Sequence, residues 1–203
     1  MTATDDAPHT ARMPVSPAPR PAAPLAFPLL GERVLLRPFE MADAPAAHAV
    51  CGDAEVMRFV GEGGPVDRER SATMIAGYQA HQERHGFAFW AVIERSSGEL
   101  IGDAGLEVTE HGVELGYTLG RSWWGQGLST EAARLCLCAA FGPLDLPRLV
   151  ALADVDNPAS ARVLEKIGFR RRGIMPAYGR AHHAFELVPA PSGTASTPLP
   201  EKA

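Results

Sequence analysis

Trp123-Trp124-Gly125-Gln126-Gly127-Leu128-Ser129-Thr130-Glu131-Ala132 joins an apolar strand, Val113 to Leu119, to an apolar helix expected over Thr130 to Phe141. A loop that runs into a helix N-terminus leaves several backbone N–H groups unpaired, and the helix dipole adds partial positive charge there. Such a junction attracts a phosphate or pyrophosphate without any basic side chain. Gly125 and Gly127 admit close approach, because glycine has no Cβ and tolerates positive φ. A lone Gly-x-Gly before a helix is more often a tight turn and a cap. A second junction strengthens the reading. Asn157-Pro158-Ala159-Ser160-Ala161-Arg162-Val163-Leu164-Glu165-Lys166-Ile167-Gly168-Phe169 follows another apolar strand, Leu149 to Asp154, and two such junctions one helix apart suggest one shared ligand.

The chain has 203 residues, of which 46% are hydrophobic, enough for one well-buried core. Residues 1–28 and 189–203 are mostly Ala, Pro, Ser and Thr, too poor in large apolar side chains to offset their ordering entropy, and are expected to be tails around one domain over 29–188. Asp5 and Asp6 stand where a secretory signal carries basic residues, and no long apolar run follows, so a cytoplasmic protein without a membrane span is expected. Cys136 and Cys138 are two apart on a helix and face different directions, while Cys51 stands alone. That pattern is neither a disulfide framework nor a metal site. The net charge of −5 argues against a general nucleic-acid surface.

Strand patterns mix with helical ones rather than alternating strictly. Arg33 to Arg37 reads as a strand, Asp43 to Cys51 as a helix capped by Asp43, and Asp67 to His85 as a second helix stopped by Gly86. Phe87 to Arg95 and Leu100 to Val108 form a hairpin about Ser96-Ser97-Gly98, and the meander continues through Glu110-His111-Gly112 into Val113 to Leu119. In the helix after the glycine loop, Glu131 and Arg134 are the charged positions, so near-complete coverage is expected. A strand Leu149 to Asp154, a helix Ala159 to Ile167, and strands Phe169 to Ile174 and Ala184 to Val188 complete a mixed α/β architecture. Its sheet is twisted and mostly antiparallel, with helices on both faces.

In these motifs the chain resembles the GNAT superfamily of acyl-CoA-dependent N-acyltransferases, and within it the Rim-type ribosomal-protein N-acetyltransferase branch. Trp124 to Ala132 matches the branch's Trp-Gly-x-Gly-x-Ala-Thr-Glu-Ala, with Ser129 in place of alanine, where it can also cap the helix. Asn157, Ser160, Leu164, Glu165, Lys166, Gly168 and Phe169 match the second motif, and Val34-Leu35-Leu36-Arg37-Pro38 resembles the first strand. The likeness runs from near Leu30 to Val188, and its three blocks occur in the family's order.

The resemblance implies acetyl-CoA as co-substrate, no metal, and a primary amine of a small molecule or peptide as acceptor. It implies that Tyr117, Leu119 and nearby backbone bind the pantetheine arm where two strands splay apart. The amides of Gly125, Gln126, Gly127, Leu128, Ser129 and Thr130 would hold the pyrophosphate. Asn157 would bind the CoA arm or orient the amine, and Ser160 would sit near the thiol. Many relatives protonate the thiolate with a tyrosine just before the Glu-Lys pair; that position here is Leu164. Glu114 is the candidate general base, with an ordinary strand carboxylate as the alternative.

Other residues admit readings apart from the reaction. Trp123 and Trp124 read as packing beneath the loop. Arg121 could meet a phosphate or simply be solvated. Arg170-Arg171-Arg172 could meet the CoA 3′-phosphate or an acidic acceptor, but alternation puts Arg171 on the face opposite its neighbours, and they read rather as a solvated edge. His182 and His183 are expected in a loop, where they could line an acceptor pocket. A monomer or homodimer is expected. Two other functions stay open: a CoA-binding regulator without chemistry, and a dinucleotide-dependent oxidoreductase. The latter is disfavoured because the third glycine of Gly-x-Gly-x-x-Gly would fall at Thr130. A P-loop is excluded, since no Gly-Lys-Ser/Thr follows.

Overall fold

In the computed structural model, which describes residues 24–189, eight strands pair into one sheet. They are β1 (Leu29–Leu30), β2 (Val34–Arg37), β3 (Phe89–Glu94), β4 (Leu100–Thr109), β5 (Gly112–Leu119), β6 (Leu149–Asp154), β7 (Arg170–Ala177) and β8 (Arg180–Leu187), in the order β1-β2-β3-β4-β5-β6-β8-β7. Every neighbouring pair is antiparallel except β5 and β6. These two run parallel and are in register at a single pair, Glu114 with Val150, beyond which they diverge. The helices are α1 (Ala44–Cys51), α2 (Ala54–Met57), α3 (Arg68–His85), α4 (Leu128–Phe141) and α5 (Pro158–Lys166).

Period-two alternation divides the sheet's side chains between two layers. Val34, Trp90, Leu106, Leu115 and Ala151 pack with Ala132, Cys136 and Ala140 of α4 and Leu164 of α5. Small side chains on α4 let its backbone lie close to the strands. Phe39, Ala91, Ile93 and Leu100 pack with Ile75 of α3 on the other face. The Asp67 carboxylate starts α3 by accepting the Arg70 amide at 2.7 Å. Gly86, at φ 80°, ends it with its N–H on Gln82 O.

Several details depart from the sequence reading. Leu25 and Phe27 lie in the segment expected as a tail, yet they pack on the main core, the Phe27 ring meeting Trp90 edge-on at 5.5 Å. Three apolar side chains, Leu25, Phe27 and Leu29, bury enough surface to anchor that stretch. The rest of the two expected tails, 1–23 and 190–203, lies outside the described residues. The cap of α4 is Gly127, at φ 80° and without a side-chain bond, so Ser129 sits inside the first turn rather than capping it. Cys138 on α4 is exposed while Cys136 is buried, so that helix is not covered all round. Asp43 pairs with Arg37 at 2.7 Å instead of capping α1. His182 and His183 belong to β8, because the reversal falls earlier, at Tyr178-Gly179.

Candidate active site

The gap between β5 and β6 exposes a strand edge. The Gly120 N–H donates to Ile101 O at 2.9 Å, so antiparallel alternation turns the Leu119 N–H and C=O away from β4 and toward β6. There β6 has already diverged. The Leu119 carbonyl accepts the Trp124 indole N–H at 2.6 Å, which leaves the Leu119 amide facing the gap. Trp123 packs against the core, as expected, whereas Trp124 is 47% exposed and acts through that bond.

The glycine loop borders the gap. Gly125 and Gly127 sit at φ 73° and 80°, conformations that favour glycine. The first bond into α4 runs from the Glu131 amide to Gly127 O at 3.1 Å. The amides of Leu128, Ser129 and Thr130 precede it and have no partner within the helix. Arg33 secures the loop from outside: its guanidinium donates to Gln126 O at 2.8 Å and to Glu131 Oε2 at 3.0 Å. Glu131 Oε1 in turn accepts the amides of Arg33 and Val34. Burial would raise the Glu131 carboxyl, but these donors hold it below its ordinary range. The Gln126 side chain bonds Ser122 O at 2.9 Å. Arg121 stands 3.9 Å from Asp53.

On the α4/α5 side, Asn157 Oδ1 accepts the Ser160 amide at 3.1 Å and caps α5. The Tyr117 phenol reaches over from β5, donating to Ser160 O at 3.0 Å and lying 3.1 Å from Ser160 Oγ. Burial pushes that phenol up to about 12 despite the bond with Ser160. Leu164 is 1% exposed and belongs to the core.

Glu114 projects from the other face of β5, directly across the ladder from Glu107. Burial pushes its carboxyl up to about 7, the Glu107 charge adds to the rise, and the Thr109 hydroxyl opposes it. Among the described residues its buried Oε2 has no hydrogen-bond partner. Asp103, opposite Thr118 on the same face, is likewise pushed up to about 7 by burial against hydrogen bonding from Thr118, and its Oδ1 has no partner among the described residues.

The β7–β8 turn lies within electrostatic reach of Glu114 and Glu107. Tyr178, at φ 50°, has its phenol pushed up to about 12 by burial and then by the charges of Glu114, Glu107 and Glu110. Arg180 spans to Asp154 at 3.2 Å and to Arg58 O at 2.8 Å, tying the turn to the α2–α3 connection. Asp103, Tyr178 and Arg180 were not singled out from sequence. The only local signal for any of them is the Tyr178-Gly179 turn. His182 is buried, its Nδ1 3.2 Å from Arg180 O, while Arg171 bonds Glu165 and Arg172 bonds Glu186. Among the described residues no group of three His, Cys, Asp or Glu side chains is placed to hold a metal ion, and no helix is long and apolar enough to cross a membrane.

A strand edge facing a gap, a helix N-terminus with free amides beside it, hydroxyls on one side and a raised carboxyl on the other suit a thioester with a phosphorylated handle. Comparison with known proteins agrees. The acetyltransferase (GNAT) domain family matches residues 33–170. The Bacillus subtilis protein YoaA, named an uncharacterized N-acetyltransferase, is 32% identical over 157 residues, 75% of this chain and 88% of its own. The structure of a GNAT-family acetyltransferase from Bacillus anthracis superposes with a TM-score of 0.70 at 26% identity, covering 80% of this chain and 98% of that one. An acetyltransferase from Agrobacterium tumefaciens gives 0.69 at 28%, covering 83% and 99%. The match spans the strand edge, the glycine loop and α5 alike, and the chain therefore belongs to the GNAT family of acetyltransferases.

Proposed function

We propose that this acyltransferase moves an acetyl group from acetyl-CoA to a primary amine, by direct attack with both substrates bound. The observation that carries the reading is the divergence of β5 from β6 after Glu114 and Val150. It leaves the Leu119 amide available to a pantetheine arm beside the free amides at the start of α4, which suit the pyrophosphate. Gly125 and Gly127 keep that approach clear. Asn157 serves the site by fixing Ser160, and the Ser160 hydroxyl is directed to the leaving sulfur.

The acceptor approaches from the Glu114 face. Catalysis needs the amine neutral and its proton taken up as the C–N bond forms. A carboxylate raised to about 7 suits that task near neutral pH. Moving a proton to such a base costs about 1 kcal/mol from an α-amine but about 5 kcal/mol from a lysine. The acceptor class favoured here is therefore an α-amine or another amine of comparably low basicity. Fixing both substrates in one groove supplies further rate by removing the entropy of a bimolecular encounter.

Two measurements test the reading. Calorimetry should find acetyl-CoA binding and no NAD binding, and amine-dependent release of free thiol should separate an enzyme from a CoA-binding regulator. NAD binding in place of acetyl-CoA, or acetyl-CoA binding without thiol release across a broad amine panel, would overturn it.

A further inference from the structure

Ser160 is restrained at both ends of its peptide unit. Its N–H is held by Asn157 Oδ1 and its C=O by the Tyr117 phenol. What remains free to turn is its hydroxyl, 3.1 Å from Tyr117 Oη. Tyr117 is three residues past Glu114 on β5, so strand alternation sends its ring to the opposite face. A carboxyl and a hydroxyl pair thus flank the gap from opposite sides of the sheet. Resting on the acetyl-transfer reading above, we propose that Tyr117 and Ser160 form a hydroxyl relay for the leaving group. In it Tyr117 Oη–H donates to Ser160 Oγ, and Ser160 Oγ–H donates to the departing sulfur.

The relay requires only that the Tyr117 hydroxyl proton rotate from Ser160 O to Ser160 Oγ, both already within hydrogen-bond reach. As the C–N bond forms and the C–S bond breaks, the sulfur keeps the C–S electron pair and the nitrogen proton leaves on the Glu114 side. The pair of hydroxyls stabilises the thiolate by donation and passes on no net proton. A phenol near 12 is a much weaker acid than a thiol at roughly 8.5, so the thiolate takes its proton from solvent after release. Tyr117 is in these terms a positioning residue, and Ser160 is the group that meets the sulfur. The relay also gives the leaving group a donor in a site whose position 164 is leucine.

The test uses Tyr117→Phe, Ser160→Ala and the double variant in the full chain, with kcat measured from pH 6 to 9 and acetyl-CoA affinity by calorimetry. A hydrogen bond to a developing charge predicts about a tenfold loss of kcat for Tyr117→Phe and 10- to 100-fold for Ser160→Ala. The double variant should be no slower than Ser160→Ala, affinity should stay within about twofold, and the shape of the pH profile should persist. A Tyr117→Phe enzyme with wild-type kcat would overturn the relay, as would strictly additive losses. So would a pH profile whose shape changes in Tyr117→Phe, which would make Tyr117 a net proton donor. Should Tyr117→Phe not fold, Ser160→Thr decides: kcat within a few fold of wild type supports the relay, and a loss equal to that of Ser160→Ala overturns it. A wild-type chain that releases no thiol with any amine sinks the acetyl-transfer reading and the relay together. An active wild type with indifferent variants sinks the relay alone.

Discussion

Glu107 and Glu114 face each other across the β4–β5 ladder, and burial together with the Glu107 charge lifts the Glu114 carboxyl to about 7. A base must be ionised to accept a proton, so activity should rise with pH through that value. Glu114→Gln is expected to lower kcat by a factor on the order of 10² to 10⁴, remove the acid limb of kcat/KM, and leave acetyl-CoA affinity nearly unchanged. Wild-type kcat across pH 6 to 9, with chemistry rate-limiting, would make Glu114 a structural carboxylate.

Glu107→Gln removes a negative neighbour while keeping the shape of the side chain. Repulsion by Glu107 disfavours ionised Glu114, so its loss should move the acid limb of kcat/KM to lower pH. An unmoved or upward-shifted limb would break the link between this pair and the rate.

Gly127 lies at φ 80° with its Cβ direction open to solvent apart from Arg33 at 3.5 Å. Gly127→Glu would put bulk and negative charge against the amides that start α4, at a backbone angle costing of order 1 kcal/mol. Acetyl-CoA binding by calorimetry should vanish while far-UV circular dichroism stays native. Retained affinity would move the pyrophosphate elsewhere.

The legible parts of this chain are those that local rules govern. Positive φ at Gly125 and Gly127, the Asp67 and Gly86 boundaries of α3, and the alternation along β3 to β5 are set within a few residues. The four-residue α2 is too short to carry a period. The cap of α4 falls at Gly127 rather than Ser129 because a glycine at positive φ does there, with no side-chain bond, what a serine would do with one. His182 and His183 lie in a strand rather than the expected loop because the turn falls at Tyr178, a non-glycine residue at φ 50°. The Tyr117–Ser160 bond spans 43 residues and the Arg180–Arg58 bond spans 122. The elevation of Asp103 depends on what covers it. Strand order and helix packing decide all three, and no sequence window contains them.

Burial lifts Asp103 from the ordinary 3.8 to about 7. The folded chain therefore holds that proton to higher pH than the unfolded chain does. Its stabilising effect is full below about pH 4 and is lost as pH rises through 7, up to roughly 4 kcal/mol. Asp103→Asn carries no charge to bury, so its melting temperature relative to wild type should improve between pH 5 and pH 8 by several degrees. The same difference at both pH values would mean that Asp103 titrates normally.

One competition experiment addresses the account most directly. A peptide with one free α-amine and one lysine is incubated with the enzyme and acetyl-CoA at pH 7, and mass spectrometry locates the acetyl group. The account predicts enzyme-dependent acetylation at the α-amine in at least tenfold excess over the lysine, with the rate lowered by a factor on the order of 10² or more in Glu114→Gln. Preferential lysine acetylation, or an acetylation pattern no different from the enzyme-free control, would contradict it.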